Sequence, residues 1–286
     1  MTPDARATAS RIPHPASAAE PAVLCLHCST GSARQWQSLE RRLGNARRVI
    51  APDLLGYGAN PPWPRGRRVS LADEVRALRP ALASARGPVD VVAHSFGAAV
   101  AIELALLHPG AVRSLCLYEP VLFALLRTQR AATPALAEIF SLAGGIERAL
   151  ARGDHAGAAC RFVDFWSGRG TWEAMPESRR TALAERVVKV PADFEATLAG
   201  DLCGARLRTL EIPVLCLSGG QSPAAVRYVA ALLTATLPRA RHVRLAGAGH
   251  MGPLTHAHAV NARTAAFLGD VAAASDRTTA FPARAA

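Results

Sequence analysis

Val91-Val92-Ala93-His94-Ser95-Phe96-Gly97-Ala98-Ala99 (VVAHSFGAA) decides how the chain is read. The β-branched pair favours a strand, and the small residues after Ser95 favour a helix. Ala93-His94-Ser95-Phe96-Gly97 fits the small-x-Ser-x-Gly pattern, by which a strand turns abruptly into a helix and exposes the serine at the top of a sheet. Ala93 stands where a glycine is commoner, and small is what the sterics ask for.

A strand-turn-helix of this kind needs a parallel sheet around it, and the flanking sequence supplies one. Short apolar runs at 22–26, 47–51, 89–93, 114–118, 213–217 and 241–245 read as buried strands. Helical patterns at 33–43, 70–85, 96–107, 224–236 and 256–268 alternate with them. That alternation predicts an α/β fold with a doubly wound, mostly parallel sheet. From about 122 to 205 no strand is evident, and helical stretches at 134–151, 155–166, 177–188 and 192–202 take over. We therefore expect a core of residues 21–121 and 206–270 with a helical cap over 122–205, standing at the strand ends where such sheets bind ligands. Residues 1–20 and 271–286 lack periodicity and are expected to be flexible.

Composition limits the partners. The chain has 286 residues, half of them hydrophobic, and a formal charge of +11. Its arginines are scattered, Lys189 is its one lysine, and no basic stripe interleaves with aromatics. A solvated basic surface is expected rather than a nucleic-acid interface. No run approaches the roughly 18 apolar residues of a membrane span, and the first residues lack the apolar core of a signal peptide. Of the six cysteines, Cys25 and Cys28 form a lone C-x-x-C without the second pair a zinc site needs, and Cys25, Cys116 and Cys216 lie within apolar strand runs. All six are read as reduced thiols of a cytoplasmic protein. No metal cluster and no G-x-G-x-x-G after a strand is visible, so no cofactor is expected, only a small-molecule substrate.

A serine is a weak nucleophile until a base takes its proton and a third group orients that base. His250 follows the last apolar strand in a glycine-rich loop, RHVRLAGAGHM, and is the expected base. With it the chain resembles the α/β-hydrolase superfamily over roughly residues 22–268. The resemblance is carried by LCLHCSTGSARQW (24–36), APDLLGYG (51–58), VVAHSFGAA (91–99), IPVLCLSGG (212–220) and LAGAGHM (245–251). It implies a Ser-His-acid triad under a helical cap. It also implies that a β-hairpin often precedes the first central strand. Here only about twenty low-complexity residues do, so the first two strands are expected to be missing or poorly formed, leaving an edge suited to a homodimer.

The acid departs from the family pattern. Its usual place, the turn after PVLCLSGG, holds Gln221, Ser222 and Pro223, with Ser222 where the aspartate would stand. The superfamily also uses the tip of the strand after the elbow helix, and there the chain has Glu119. Glu119 is the expected acid, with Asp201 a further candidate and a pocket-lining role for Glu119 the alternative. By the same resemblance, oxyanion donors are expected from the amides of Phe96 and of Cys28, with Ser29 as the alternative to Cys28. Ser29, Trp36, Phe123 and Trp166 are expected to contact substrate, while His27 and Asp53 read as structural. These residues imply cofactor-free hydrolysis of a small carboxylic ester or related acyl compound. C–C bond hydrolysis or acyl transfer on the same triad, or an inactive binding protein that kept the cleft, are the alternatives.

Overall fold

The computed structural model describes residues 21–199 and 204–279. Six strands, β1 (Val23–Leu26), β2 (Val49–Ile50), β3 (Val89–His94), β4 (Val112–Tyr118), β5 (Val214–Gly219) and β6 (Ala240–Leu245), form one sheet in the order β2-β1-β3-β4-β5-β6. Every pairing is parallel. The apolar runs are strands for the reason inferred from sequence: β1, β3 and β5 are buried along their whole length. The edge strand β6 differs. It exposes Arg241 and Arg244, charges of the kind that discourage a further strand from pairing there.

Helices cover both faces. Residues of α1 (Gln37–Leu43) and α12 (Ala257–Thr279) pack with Val23, Cys25, Val92, Cys116 and Leu215 on one face. On the other, Leu24, Leu26, Val91, Ala93, Leu115 and Leu117 pack with α2 (Leu71–Ala77), α4 (Phe96–Leu107) and α10 (Ala224–Thr236). The two sets alternate along each strand, as the period of two requires. The expected helix over 70–85 is two helices, α2 and α3 (Arg79–Ser84), because Pro80 lacks an N–H and its ring crowds the carbonyl of Arg76.

Between β4 and β5 the described residues carry no strand. They form 3₁₀ turns at Phe123–Thr128 and Arg130–Ala132, then α5 (Thr133–Ala151), α6 (His155–Ser167), α7 (Glu177–Arg186), α8 (Val190–Leu198) and α9 (Gly204–Leu207). Trp166 of α6 and Phe194 of α8 reach down to the carboxyl end of the sheet, so the insertion roofs the elbow. The expected tail from 271 needs correction: α12 continues to Thr279, and Val271 is buried. No glycine or proline interrupts 270–281, and Ala272, Ala273 and Ala274 favour helix. The rest of that tail, the expected flexible segment 1–20 and the question of strands before β1 lie outside the described residues. Among the described residues no helix is long and apolar enough to cross a membrane.

Candidate active site

Ser95 sits between β3 and α4 with φ +55° and ψ −118°. A side chain rarely adopts positive φ, and the close packing of α4 on β1 enforces it here. A Cβ on Gly97 would stand 2.4 Å from the carbonyl oxygen of His27 and 2.6 Å from that of Leu26. The glycine of the elbow is thus fixed by contact between backbones.

The structure brings Ser95, His250 and Glu119 together from three separate strand ends. His250 Nε2 lies 3.0 Å from Ser95 Oγ, and His250 Nδ1 lies 2.7 Å from Glu119 Oε2. Glu119 is fully buried, and its Oε1 accepts the Gly219 N–H at 2.6 Å. The turn after β5 therefore contributes a backbone donor to the carboxylate instead of a carboxylate of its own. Ser222 is buried in that turn, and among the described residues its hydroxyl has no hydrogen-bond partner. Asp201 lies outside the described residues.

Two residues that sequence reasoning passed over hold the histidine loop. His94 Nε2 lies 2.9 Å from the carbonyl oxygen of His250, and the Tyr118 hydroxyl donates to that of Gly249 at 2.7 Å. A carbonyl only accepts, so His94 carries its proton on Nε2, leaving Nδ1 to accept from Gln35 Nε2 at 3.2 Å. The sequence signal was the histidine inside the elbow itself, next to the serine and pointing away from the cleft.

The loop after β1 departs from expectation. The Cys28 N–H donates to Gln35 Oε1 at 3.2 Å, so that donor is already committed inward. The Ser29 N–H makes no hydrogen bond among the described residues. The loop's available donor is thus the alternative, Ser29. Across the cleft, Phe96 is the first residue of α4, and its N–H has no carbonyl one turn earlier to bond. The Cys28 thiol is buried, which pushes its pKa up to about 12, so it stays protonated at neutral pH.

Ser29 is also tied to the cap. Its hydroxyl donates to Asp193 Oδ2 at 2.6 Å, as does the Tyr57 hydroxyl at 2.6 Å. Asp193 Oδ1 in turn lies 2.9 Å from Lys189 Nζ, which pairs with Glu74 Oε1 at 2.5 Å. The ammonium also lies over the rings of Tyr57 and Phe96, at 4.5 Å and 4.8 Å from their centroids. The chain's one lysine therefore joins core, cap and the loop after β1.

Two spaces meet at Ser95. A large cavity of about 750 Å3 is bordered by Ser29, Ser95, Trp166, His250 and Met251. Among the described residues, Arg179 is the one Arg, Lys, Asp or Glu on its wall. A much smaller pocket of about 20 Å3 lies between Ser95, Phe96, Phe123, Trp166 and Phe194. Phe123 and Trp166 thus stand at the site, and the Trp166 ring lies 4.2 Å from that of His250. Trp36 does not. It is buried among Val23, Cys25 and Leu39 on the opposite face of the sheet, because the segment before α1 folds under the sheet rather than over its carboxyl edge. Among the described residues no group of His, Cys, Asp and Glu is arranged to hold a metal.

His27 and Asp53 brace this loop. His27 Nδ1 donates to the carbonyl of Cys28 at 2.7 Å, and Nε2 accepts the Leu54 N–H at 3.0 Å. Asp53 accepts the N–H groups of Ala33 and Ala59. Burial lowers the His27 pKa from 6.5 to about 4 and takes that of His94 well below 6.5. The unfolded chain thus binds more protons than the folded one between those values. Stability is complete above pH 6.5 and is lost as pH falls toward 4, by about 3 kcal/mol for His27 alone. The urea midpoint should decline steadily across that window; an unchanged midpoint from pH 7 to 4.5 would contradict the assignment of both histidines as neutral.

A six-stranded parallel sheet with a serine at a positive-φ strand-to-helix turn, a histidine in reach and a helical insertion between β4 and β5 defines the class of fold. The chain belongs to the alpha/beta hydrolase fold family, whose sequence profile matches residues 21–257. It is 40% identical over 102 residues to the lipase LipV of Mycobacterium tuberculosis (strain ATCC 25618 / H37Rv), covering 34% of this chain and 36% of that one. It is 37% identical over 84 residues to the 2-hydroxymuconate semialdehyde hydrolase of Pseudomonas sp. (strain CF600), covering 29% of each chain. These matches span about a third of the relatives' lengths. A thermophilic esterase from Thermogutta terrifontis superposes with a TM-score of 0.68 over 88% of this chain and 90% of its own, at 21% identity, a likeness of fold.

Proposed function

We propose that the protein is a serine hydrolase that cleaves carboxylic esters through an acyl-enzyme on Ser95. The observation that carries this reading is the continuous hydrogen-bonded chain from Ser95 Oγ through His250 to Glu119. Ser95 Oγ forms a bond to the ester carbonyl carbon while its proton passes to His250 Nε2. Glu119 accepts the Nδ1–H, fixes the tautomer and stabilises the imidazolium. The amides of Phe96 and Ser29 receive the oxyanion. The carbon–oxygen bond to the alcohol then breaks, and the proton held on Nε2 leaves with the alkoxide. Water, deprotonated by the same nitrogen, attacks the acyl-enzyme; the acid departs, and the proton returns to Ser95 Oγ.

The reading of the cleft as an inactive binding site rested on the missing carboxylate after β5. Glu119 weighs against it, since it supplies that charge from β4. The experiment is an acid quench during turnover of p-nitrophenyl acetate, followed by peptide mapping. An acetyl group on the Ser95 peptide, absent in Ser95→Ala along with turnover, supports the proposal. Turnover undiminished in Ser95→Ala would overturn it.

A further inference from the structure

We propose that the two spaces meeting at Ser95 divide the substrate unequally, making the protein selective for esters of short, uncharged acids of about acetate size that carry bulky alcohols. This rests on the acyl-enzyme reading above and adds to it which half of the ester goes where.

The assignment follows from the proton. When the tetrahedral intermediate collapses, the leaving oxygen must lie within hydrogen-bonding reach of His250 Nε2. His250 borders the larger cavity and is not part of the wall of the smaller pocket. The alcohol half therefore occupies the space of about 750 Å3, where a large group fits. The acyl substituent on the same carbon points away from His250, past the amide of Phe96, into the space of about 20 Å3. One water-sized group needs about 10–15 Å3 measured this way. A methyl group matches that space as it stands, whereas a propyl chain would have to displace its walls.

The walls do not yield easily. Phe123 lies between Trp166 and Phe194, its ring centroid 6.5 Å and 6.0 Å from theirs, with interplanar angles of 12° and 19°. Val121 and Val190 also line the pocket and are buried. Displacing a packed aromatic ring costs contacts that a longer acyl chain must first replace. Asp193 forms one wall of the same pocket. Its carboxylate is oriented by Ser29, Tyr57 and Lys189, so an acyl chain ending in a carboxylate would meet a fixed like charge.

The test measures kcat/KM for p-nitrophenyl acetate, butyrate, octanoate and the succinate monoester, in the wild type and in Phe194→Ala and Phe123→Ala. Labelling by a fluorophosphonate runs beside it. In the wild type, kcat/KM should fall at least tenfold from acetate to butyrate, and further for octanoate and succinate. At least one of the two alanine variants should recover butyrate relative to acetate. Octanoate or succinate cleaved as fast as acetate, with Ser95 still labelled, overturns the division of the substrate while leaving the acyl-enzyme reading intact. An unlabelled Ser95 with no ester cleaved overturns both.

Discussion

Glu119→Gln should lower kcat by about 10³–10⁴-fold while leaving KM and the fold nearly unchanged. The reason lies in what each carboxylate oxygen does. Oε1 accepts the Gly219 N–H, and Oε2 accepts from His250 Nδ1. A glutamine has one oxygen. If that oxygen keeps Gly219, the amide NH₂ faces His250 and forces Nδ1 to become an acceptor. The ring proton then moves to Nε2 and points at Ser95, so the imidazole can no longer take the serine proton. If the amide flips, its NH₂ opposes the Gly219 N–H in a fully buried site, two donors with no acceptor between them. The first arrangement disables the base; the second keeps its tautomer but leaves the Gly219 N–H unpaired and removes the negative charge that stabilises the imidazolium. Steady-state kinetics on an acetate ester reads the effect, and a loss under tenfold would show that His250 does not depend on Glu119.

Lys189→Met should be the most destabilising single change near the site. Lys189 is 1% exposed and faces Glu74 and Asp193 together. Removing one partner of a buried ion pair costs about 3–5 kcal/mol, and here two carboxylates would be left facing each other. For a domain of this size the thermal midpoint should fall by roughly 10 °C. The pH dependence distinguishes charge from lost packing. Burial already raises the Glu74 pKa above its ordinary value in spite of Lys189. Without the ammonium, the folded state holds carboxyl protons more tightly than the unfolded chain does. Stability must then fall as pH rises through the carboxylate range, and the deficit of Lys189→Met should be smaller at pH 5 than at pH 8. An equal deficit at both would assign the loss to packing. Because Asp193 also holds the Ser29 hydroxyl, the loop amide opposite Phe96 should loosen too, lowering kcat more than it raises KM.

The parts of this architecture that were legible in the sequence are those written in local pattern. Central parallel strands such as β1, β3 and β5 are apolar along their length and stand out in the sequence, and the strand-serine-helix turn marks Ser95. Glu119 and His250 followed from their places just beyond strand ends. What was illegible depends on contacts between distant positions. Asp193 lies 164 residues from the Ser29 it anchors, and no periodicity links them. The hydrogen bond that engages the Cys28 amide is illegible in sequence because its partner is a side chain, Gln35 Oε1, whose direction is set only once the loop closes. Trp36 was placed at the cleft because aromatic residues near a site motif are ambiguous in sequence. Which face of the sheet it joins is settled by how the chain leaves β1.

The most direct measurement of the central claim, that Ser95 is activated by His250 and Glu119, is the reaction of the folded protein with a fluorophosphonate, which loses fluoride as the serine oxygen bonds phosphorus. The adduct is mapped by mass spectrometry. The account predicts a single adduct on Ser95, absent in Ser95→Ala and formed far more slowly in Glu119→Gln. A folded protein that remains unlabelled, or one labelled equally fast in Glu119→Gln, would contradict it.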